Sequence, residues 1–156
     1  MTAFRHACPV GVALATYAAI GDAQAAVSRS GVISKFDGVD EGVETCTSAK
    51  SHADMPQMSL TFTSSGRGSA LVTFSGSAGL AGTKFDTGFV RVMVDGQEQS
   101  PGEVAFVAVG QASAANAFTW QTKSLRTGSY AAQVQWRTDQ GSEFCVDARS
   151  LVVLHR

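Results

Sequence analysis

Tyr130-Ala131-Ala132-Gln133-Val134-Gln135-Trp136-Arg137 is the stretch that decides the fold. Tyr130, Ala132, Val134 and Trp136 alternate with Ala131, Gln133, Gln135 and Arg137, the two-residue period of a half-buried strand. A helix would scatter the same residues around its circumference. Arg126-Thr127-Gly128 before it and Asp139-Gln140-Gly141 after it are turn signals, so the strand is expected to have hairpin-like neighbours on both sides. Those neighbours start at Phe118 and end at Leu154, and the three candidate strands carry both tryptophans and the last cysteine.

Working outward, the same period recurs upstream. Met58, Leu60 and Phe62 alternate with polar residues, Ser64-Ser65-Gly66-Arg67-Gly68 turns the chain, and Ala70, Val72 and Phe74 return. This pair reads as an antiparallel hairpin. Val90, Val92 and Val94 share a face ahead of Asp95-Gly96, a dipeptide that accepts the positive φ angles of a tight turn. Glu103–Val109 is apolar on both faces, as a central strand would be. Nearer the amino terminus, Asp37-Gly38-Val39-Asp40-Glu41-Gly42 with Glu44 reads as an acidic loop between two early strands, with Cys46 in the strand that follows. Ser48–Pro56 reads as a surface connection and Gln111–Ala115 as a small-residue loop. No amphipathic helix is expected after the first 25 residues. About eight strands at this spacing predict an all-β protein, a two-sheet antiparallel β-sandwich of jelly-roll type. An immunoglobulin sandwich is disfavoured because Trp120 lies far beyond Cys46.

The first 25 residues stand apart. Arg5 and His6 precede the mainly apolar run Ala7–Ile20, and Ala23-Gln24-Ala25 supplies the small residues of a cleavage site, the pattern of a secretory signal peptide. The run is shorter than the roughly 20 residues a membrane helix needs and is interrupted by Pro9 and Gly11. Residues 1–25 are therefore expected to be removed, leaving 26–156 as one domain in a secreted or periplasmic protein with no membrane span. Cleavage takes Cys8 with it. Cys46 and Cys145 remain as a pair, and in an oxidising compartment they are expected to bond. The chain-entropy model gives a bridge closing so long a loop about 4.7 kcal/mol. The formal charge of −1 is unchanged when Arg5 and Asp22 leave with the leader, and no basic field for nucleic acid is present.

The closing segment, from Leu125-Arg126-Thr127-Gly128-Ser129-Tyr130 through Val134-Gln135-Trp136-Arg137 to Arg149-Ser150-Leu151-Val152-Val153-Leu154, resembles the ends of uncharacterised exported bacterial β-sandwich domains. The resemblance covers this segment alone. It implies a jelly-roll-like sandwich in an exported bacterial protein and brings no catalytic or binding residue with it.

Residues able to carry chemistry are few. His52 lies in a polar loop and His155 is penultimate, so both read as solvated histidines rather than bases. Neither Ser75 nor Ser142 sits in a Gly-x-Ser-x-Gly elbow. Asp37, Asp40, Glu41 and Glu44 offer the hard oxygen ligands calcium prefers, but without an EF-hand order, and they read as a solvated loop. Trp120, Tyr130 and Trp136 are the candidates for stacking on a sugar ring, yet both tryptophans share parity with core residues. Gln133, Gln135 and Arg137 form an outward polar set. The expectation is a non-catalytic exported β-sandwich acting as a binding or assembly module, with no cofactor or metal and with a protein or glycan partner at the cell surface. A carbohydrate-binding module and a glycoside-active enzyme with a dispersed carboxylate pair are the alternatives.

Overall fold

Backbone alternation in the closing stretch sets Leu125–Thr138 between two antiparallel neighbours. The computed structural model describes residues 35–82, 85–110 and 113–155, so the expected leader lies outside the described residues. Among these there are ten strands and no helix: β1 (Lys35–Glu41), β2 (Thr45–Thr47), β3 (Ala53–Gly68), β4 (Leu71–Ala81), β5 (Thr87–Val94), β6 (Gln97–Glu98), β7 (Val104–Ala108), β8 (Ala114–Gln121), β9 (Leu125–Thr138) and β10 (Glu143–His155). One sheet runs β1-β10-β4-β8 with β2 on β10. The other runs β3-β9-β5-β6 with β7 on β5. All pairings are antiparallel.

The order explains itself as one long hairpin rolled up. The pairs β1–β10, β3–β9, β4–β8 and β5–β7 are nested, early strand against late strand, and winding the hairpin over itself adds β10–β4 and β9–β5. With the short β2 and β6 set aside, this is the eight-strand jelly roll. The expected hairpins do not form. β3 and β4 lie in different sheets, and β8, β9 and β10 alternate between sheets, because each strand's single apolar face is satisfied by any sheet that packs on the core. The tight hairpin that does form is β5–β6, where Asp95 (φ 48°) and Gly96 (φ 74°) both take positive φ. The acidic stretch is also a strand and not a loop: Asp37, Asp40 and Glu41 lie on β1, whose edge position leaves room for charges. β3 begins inside the expected connection, and β7 pairs with β5 near one side of its sheet rather than at the centre.

The inner faces of β4, β5 and the second half of β9 are periodic. Val90, Val92 and Val94 on β5, Val72, Phe74, Ala78 and Leu80 on β4, and Ala132, Val134 and Trp136 on β9 are all buried. Aromatic pairs join the two sheets: Trp136 with Phe144 at 5.3 Å between centroids, Phe74 with Phe106 at 5.2 Å. Each such pair is worth about 0.5–1.5 kcal/mol beyond the area it buries. Gly88 belongs to this face because nothing larger fits. A Cβ there would lie 2.8 Å from both Phe144 Cδ1 and Val107 Cγ1. Gly88→Ala is expected to lose about 1–3 kcal/mol through overpacking, seen as a lower urea midpoint at unchanged slope. An unchanged midpoint would contradict this packing.

Two bulges face each other across the sandwich. β10 shifts register between Asp147 and Ser150 with Ala148 at φ 38°, and β3 shifts between Asp54 and Ser59 with Gln57 at φ 60°. The first turns Arg149 inward, where it is 2% exposed. Its guanidinium donates to the carbonyls of Val43, Val146 and Pro56 and to Gln57 Oε1. Burial lowers its pKa while the Glu41 carboxylate opposes that shift. Arg149 thus clasps the β1–β2 connection and the β3 bulge in a single grip.

Candidate binding face and end cleft

Outward parity on β5 and β9 places Phe89, Arg91 and Met93 opposite Arg137, Gln135 and Gln133. Across this outer face runs a row of side chains from four strands. Arg91 Nη1 donates to Glu98 Oε2 at 3.2 Å, Arg91 Nε and Nη2 donate to Gln135 Oε1 at 2.9 and 2.8 Å, and Gln135 Nε2 donates to Asp54 Oδ1 at 2.8 Å. Gln133 Nε2 reaches the Met55 carbonyl at 3.2 Å. The outward set expected at Gln133, Gln135 and Arg137 is therefore real and held in place. It is fixed by cross-strand partners, which hold long side chains in one geometry.

Beside this row lies a cluster around Glu103. Arg137 grips that carboxylate with both prongs, Nε to Oε2 at 2.7 Å and Nη2 to Oε1 at 2.6 Å, and its guanidinium lies 4.4 Å over the Phe89 ring. His52 Nε2 stands 2.6 Å from Glu103 Oε2. The paired hydrogen bonds from Arg137 hold Glu103 below the ordinary glutamate pKa, and Glu103 in turn raises that of Arg137. The His52 pKa is lowered as well: burial, then the nearby Arg91 charge, outweigh the pull of Glu103. The solvated His52 expected from its loop is thus corrected, because it stands half-buried against the Glu103–Arg137 ion pair. Among the described residues no hydroxyl or thiol is hydrogen-bonded to it.

The row ends at a cleft. Glu98 also lines a depression of about 280 Å3 at one end of the sandwich, with Asp95, Gln97, Lys123, Arg126 and Tyr130 around it. Its acids are already engaged: Asp95 Oδ1 accepts the Ala131 N–H at 2.8 Å and Glu98 accepts from Arg91. Tyr130 stacks on Phe62 at 5.7 Å, and its hydroxyl accepts the Arg126 N–H at 3.0 Å.

No protein-family model matches the chain, and no curated protein matches it.

The remaining expected residues fall elsewhere. Trp120 and Trp136 are in the core, at 0% and 2% exposure, and Trp120 Nε1 donates to the Gly102 carbonyl at 2.7 Å. His155 is not solvated: it is 1% exposed, with Nε2 2.6 Å from Asp37 Oδ2 and its ring 5.0 Å from Phe62. Asp37 is spent there, and Glu41 Oε1 accepts the N–H groups of Gly42 and Val43. Ser75 bonds Ser150 across β4 and β10 at 2.8 Å. Among the described residues, the one close grouping of metal-type ligands is Glu44 with Cys46 and Cys145, and those sulfurs are bonded to each other. No helix among them is long and apolar enough to cross a membrane.

Residues missing from the sequence reading are Arg91, Glu98, Asp54 and Glu103. Arg91 had the visible signal, an arginine at an outward position of a regular strand. The others come from loops or strand ends that only the sheet order brings to the same place.

Proposed function

We propose that this protein is an exported β-sandwich that works without catalysis, as a binding or assembly module outside the cytoplasm, through the outer face of the β3-β9-β5 sheet. The observation that carries the reading is the row Glu98-Arg91-Gln135-Asp54, four polar side chains from four strands joined end to end. A face ordered before a ligand arrives loses little side-chain entropy on binding. The Cys46–Cys145 bond supports the exported setting, together with the leader sequence of residues 1–25. Against a glycosidase stands the direction of the acids: environment moves Glu103 and Asp86 down, whereas the proton donor of that chemistry needs its pKa raised.

A glycan is the second ligand class, and the end cleft with Tyr130, Lys123 and Arg126 favours it. The buried tryptophans supply no stacking platform, so recognition there rests on hydrogen bonds and charge. The test is binding of the purified protein to a glycan array and to immobilised cell-envelope proteins. Arg91→Ala combined with Gln135→Ala is expected to weaken binding about tenfold, or roughly 1.4 kcal/mol, while leaving the melting temperature close to that of the wild type. Blank surfaces, unchanged affinity in the double variant, or turnover of glycosides would each overturn the reading.

A further inference from the structure

Two open sheets have four lateral edges, and three of them carry the features that keep an edge from pairing with another chain. β1 carries Asp37, Asp40 and Glu41. β3 carries Asp54 and Pro56 and is bulged at Gln57. The edge formed by β6 and β7 is broken at Pro101, bears Glu98 on β6, and offers strands of only two and five residues. β8 has none of these: the chain from Val104 to Thr122 contains neither a charged residue nor a proline, and β8 keeps regular register with β4 from Ala114 to Gln121.

Backbone direction along β8 can be read from one bond. Gln121 N–H donates to the Ser100 carbonyl at 2.9 Å, away from β4. Residues at the same parity, Ala115, Ala117 and Thr119, turn their N–H and C=O groups to that side too, and among the described residues no partner reaches them. On the inner face, Phe118 is 37% exposed at this open edge, its ring 5.0 Å from Trp120.

We propose that β8 is a self-association edge, pairing antiparallel with β8 of a second copy about a two-fold axis at Ala117. The inference rests on the assembly side of the reading above and names the partner. Charge selects the occupant: a neutral edge offers nothing to a charged peptide, whereas a second copy brings an equally neutral edge and opposes no like charges. Geometry agrees. With the axis at Ala117, Ala115 faces Thr119 of the second copy, all three outward-turned residues fall in hydrogen-bonded pairs, and Phe118 lies opposite Asn116 and diagonal to the second copy's Phe118. Ser100 already holds the Gln121 end of this edge, so the open stretch is residues 115–119, roughly 17 Å of strand in a sheet layer about 10 Å deep. The contact is therefore roughly 170 Å2 per copy, well below the ~800 Å2 of a stable complex. The association is a reversible, concentration-dependent dimer rather than an obligate one.

Sedimentation velocity of the disulfide-bonded protein from micromolar to millimolar concentration tests this. The wild type is expected to shift reversibly from monomer to dimer. Ala117→Glu, at an exposed position, places two carboxylates opposite each other on the axis and is expected to abolish the dimer with melting unchanged. Ala115→Lys combined with Thr119→Glu puts opposite charges across the axis and is expected to keep the dimer and strengthen it at low salt. A monomer at every concentration, a dimer that survives Ala117→Glu, or open-ended polymers would overturn the proposal. Failure here is distinguishable from failure of the binding reading. Ala117→Glu leaves the Arg91 face intact, so it should bind the array as the wild type does, and the Arg91→Ala, Gln135→Ala variant should still dimerise.

Discussion

Cys46→Ser is expected to destabilise the protein by about 2–5 kcal/mol, a fall of roughly 10–20 °C in melting temperature for a domain of this size. Cys46 and Cys145 sit directly opposite each other on β2 and β10, with Cα atoms 4.0 Å apart and a sequence separation of 99. β2 is only three residues long and pairs with β10 alone. The bridge therefore holds the mouth of the rolled hairpin, where the earliest and latest strands meet, and its removal returns a large loop entropy to the unfolded chain. Cys46 is exposed, so the serine leaves no cavity, and the inner faces of both sheets keep their contacts. The β spectrum should persist at low temperature while the melt moves down, and reductant should move the wild type to the same place. A Cys46→Ser variant that melts with the wild type would refute this account, as would two free thiols per chain in the unreduced, unfolded protein.

Strand identity was legible in the sequence because a strand needs only its own period: Val90, Val92 and Val94, or Ala132, Val134 and Trp136, declare a buried face without reference to any partner. Strand partnership was not. Phe62 and Phe74 flank a turn-rich segment and look like a hairpin, yet they lie in different sheets facing the same core, and period alone is blind to the difference. Composition also misled at both ends of the chain. Asp37 and Asp40 look like loop residues, but they lie on an edge strand, Asp40 on its solvent side and Asp37 on the inner parity, where it meets His155. His155 looks like a solvated tail residue, but β10 runs almost to the chain end between β1 and β4 and draws it against Phe62 and Asp37. Half of the candidate face was visible for the same reason as the core. Gln133, Gln135 and Arg137 are simply the other parity of β9, whereas Glu103, His52, Glu98 and Asp54 come from separate elements whose meeting is a product of the roll.

Asp86 carries the largest expected dependence of stability on pH. It is 6% exposed, and its carboxylate accepts backbone N–H groups from Thr87, Asp139, Gln140 and Ser142 at 2.7–3.0 Å. It thereby pins the β9–β10 connection to the start of β5. Burial by itself raises the pKa, but the N–H groups of Ser142, Gln140 and Thr87 and the Ser142 side chain outweigh it and hold the group at about 2. A folded pKa below the unfolded one means that ionised Asp86 stabilises the fold. That stability is fully present above the unfolded value of about 4, and it is lost as pH falls through about 2. The linkage amounts to about 2.5 kcal/mol at neutral pH. Asp86→Asn keeps one acceptor oxygen but aims an amide donor at donors, so it should be less stable than the wild type by at least that amount at pH 7. The gap should narrow as pH falls from about 4 to about 2, where the wild-type carboxyl also becomes neutral. Glu103, whose pKa is also lowered, contributes equally to both proteins and cancels from the difference. Denaturant midpoints of the two proteins across this range measure the gap directly. A gap of constant size from pH 7 to pH 2 would show that Asp86 acts by its shape and not by its charge.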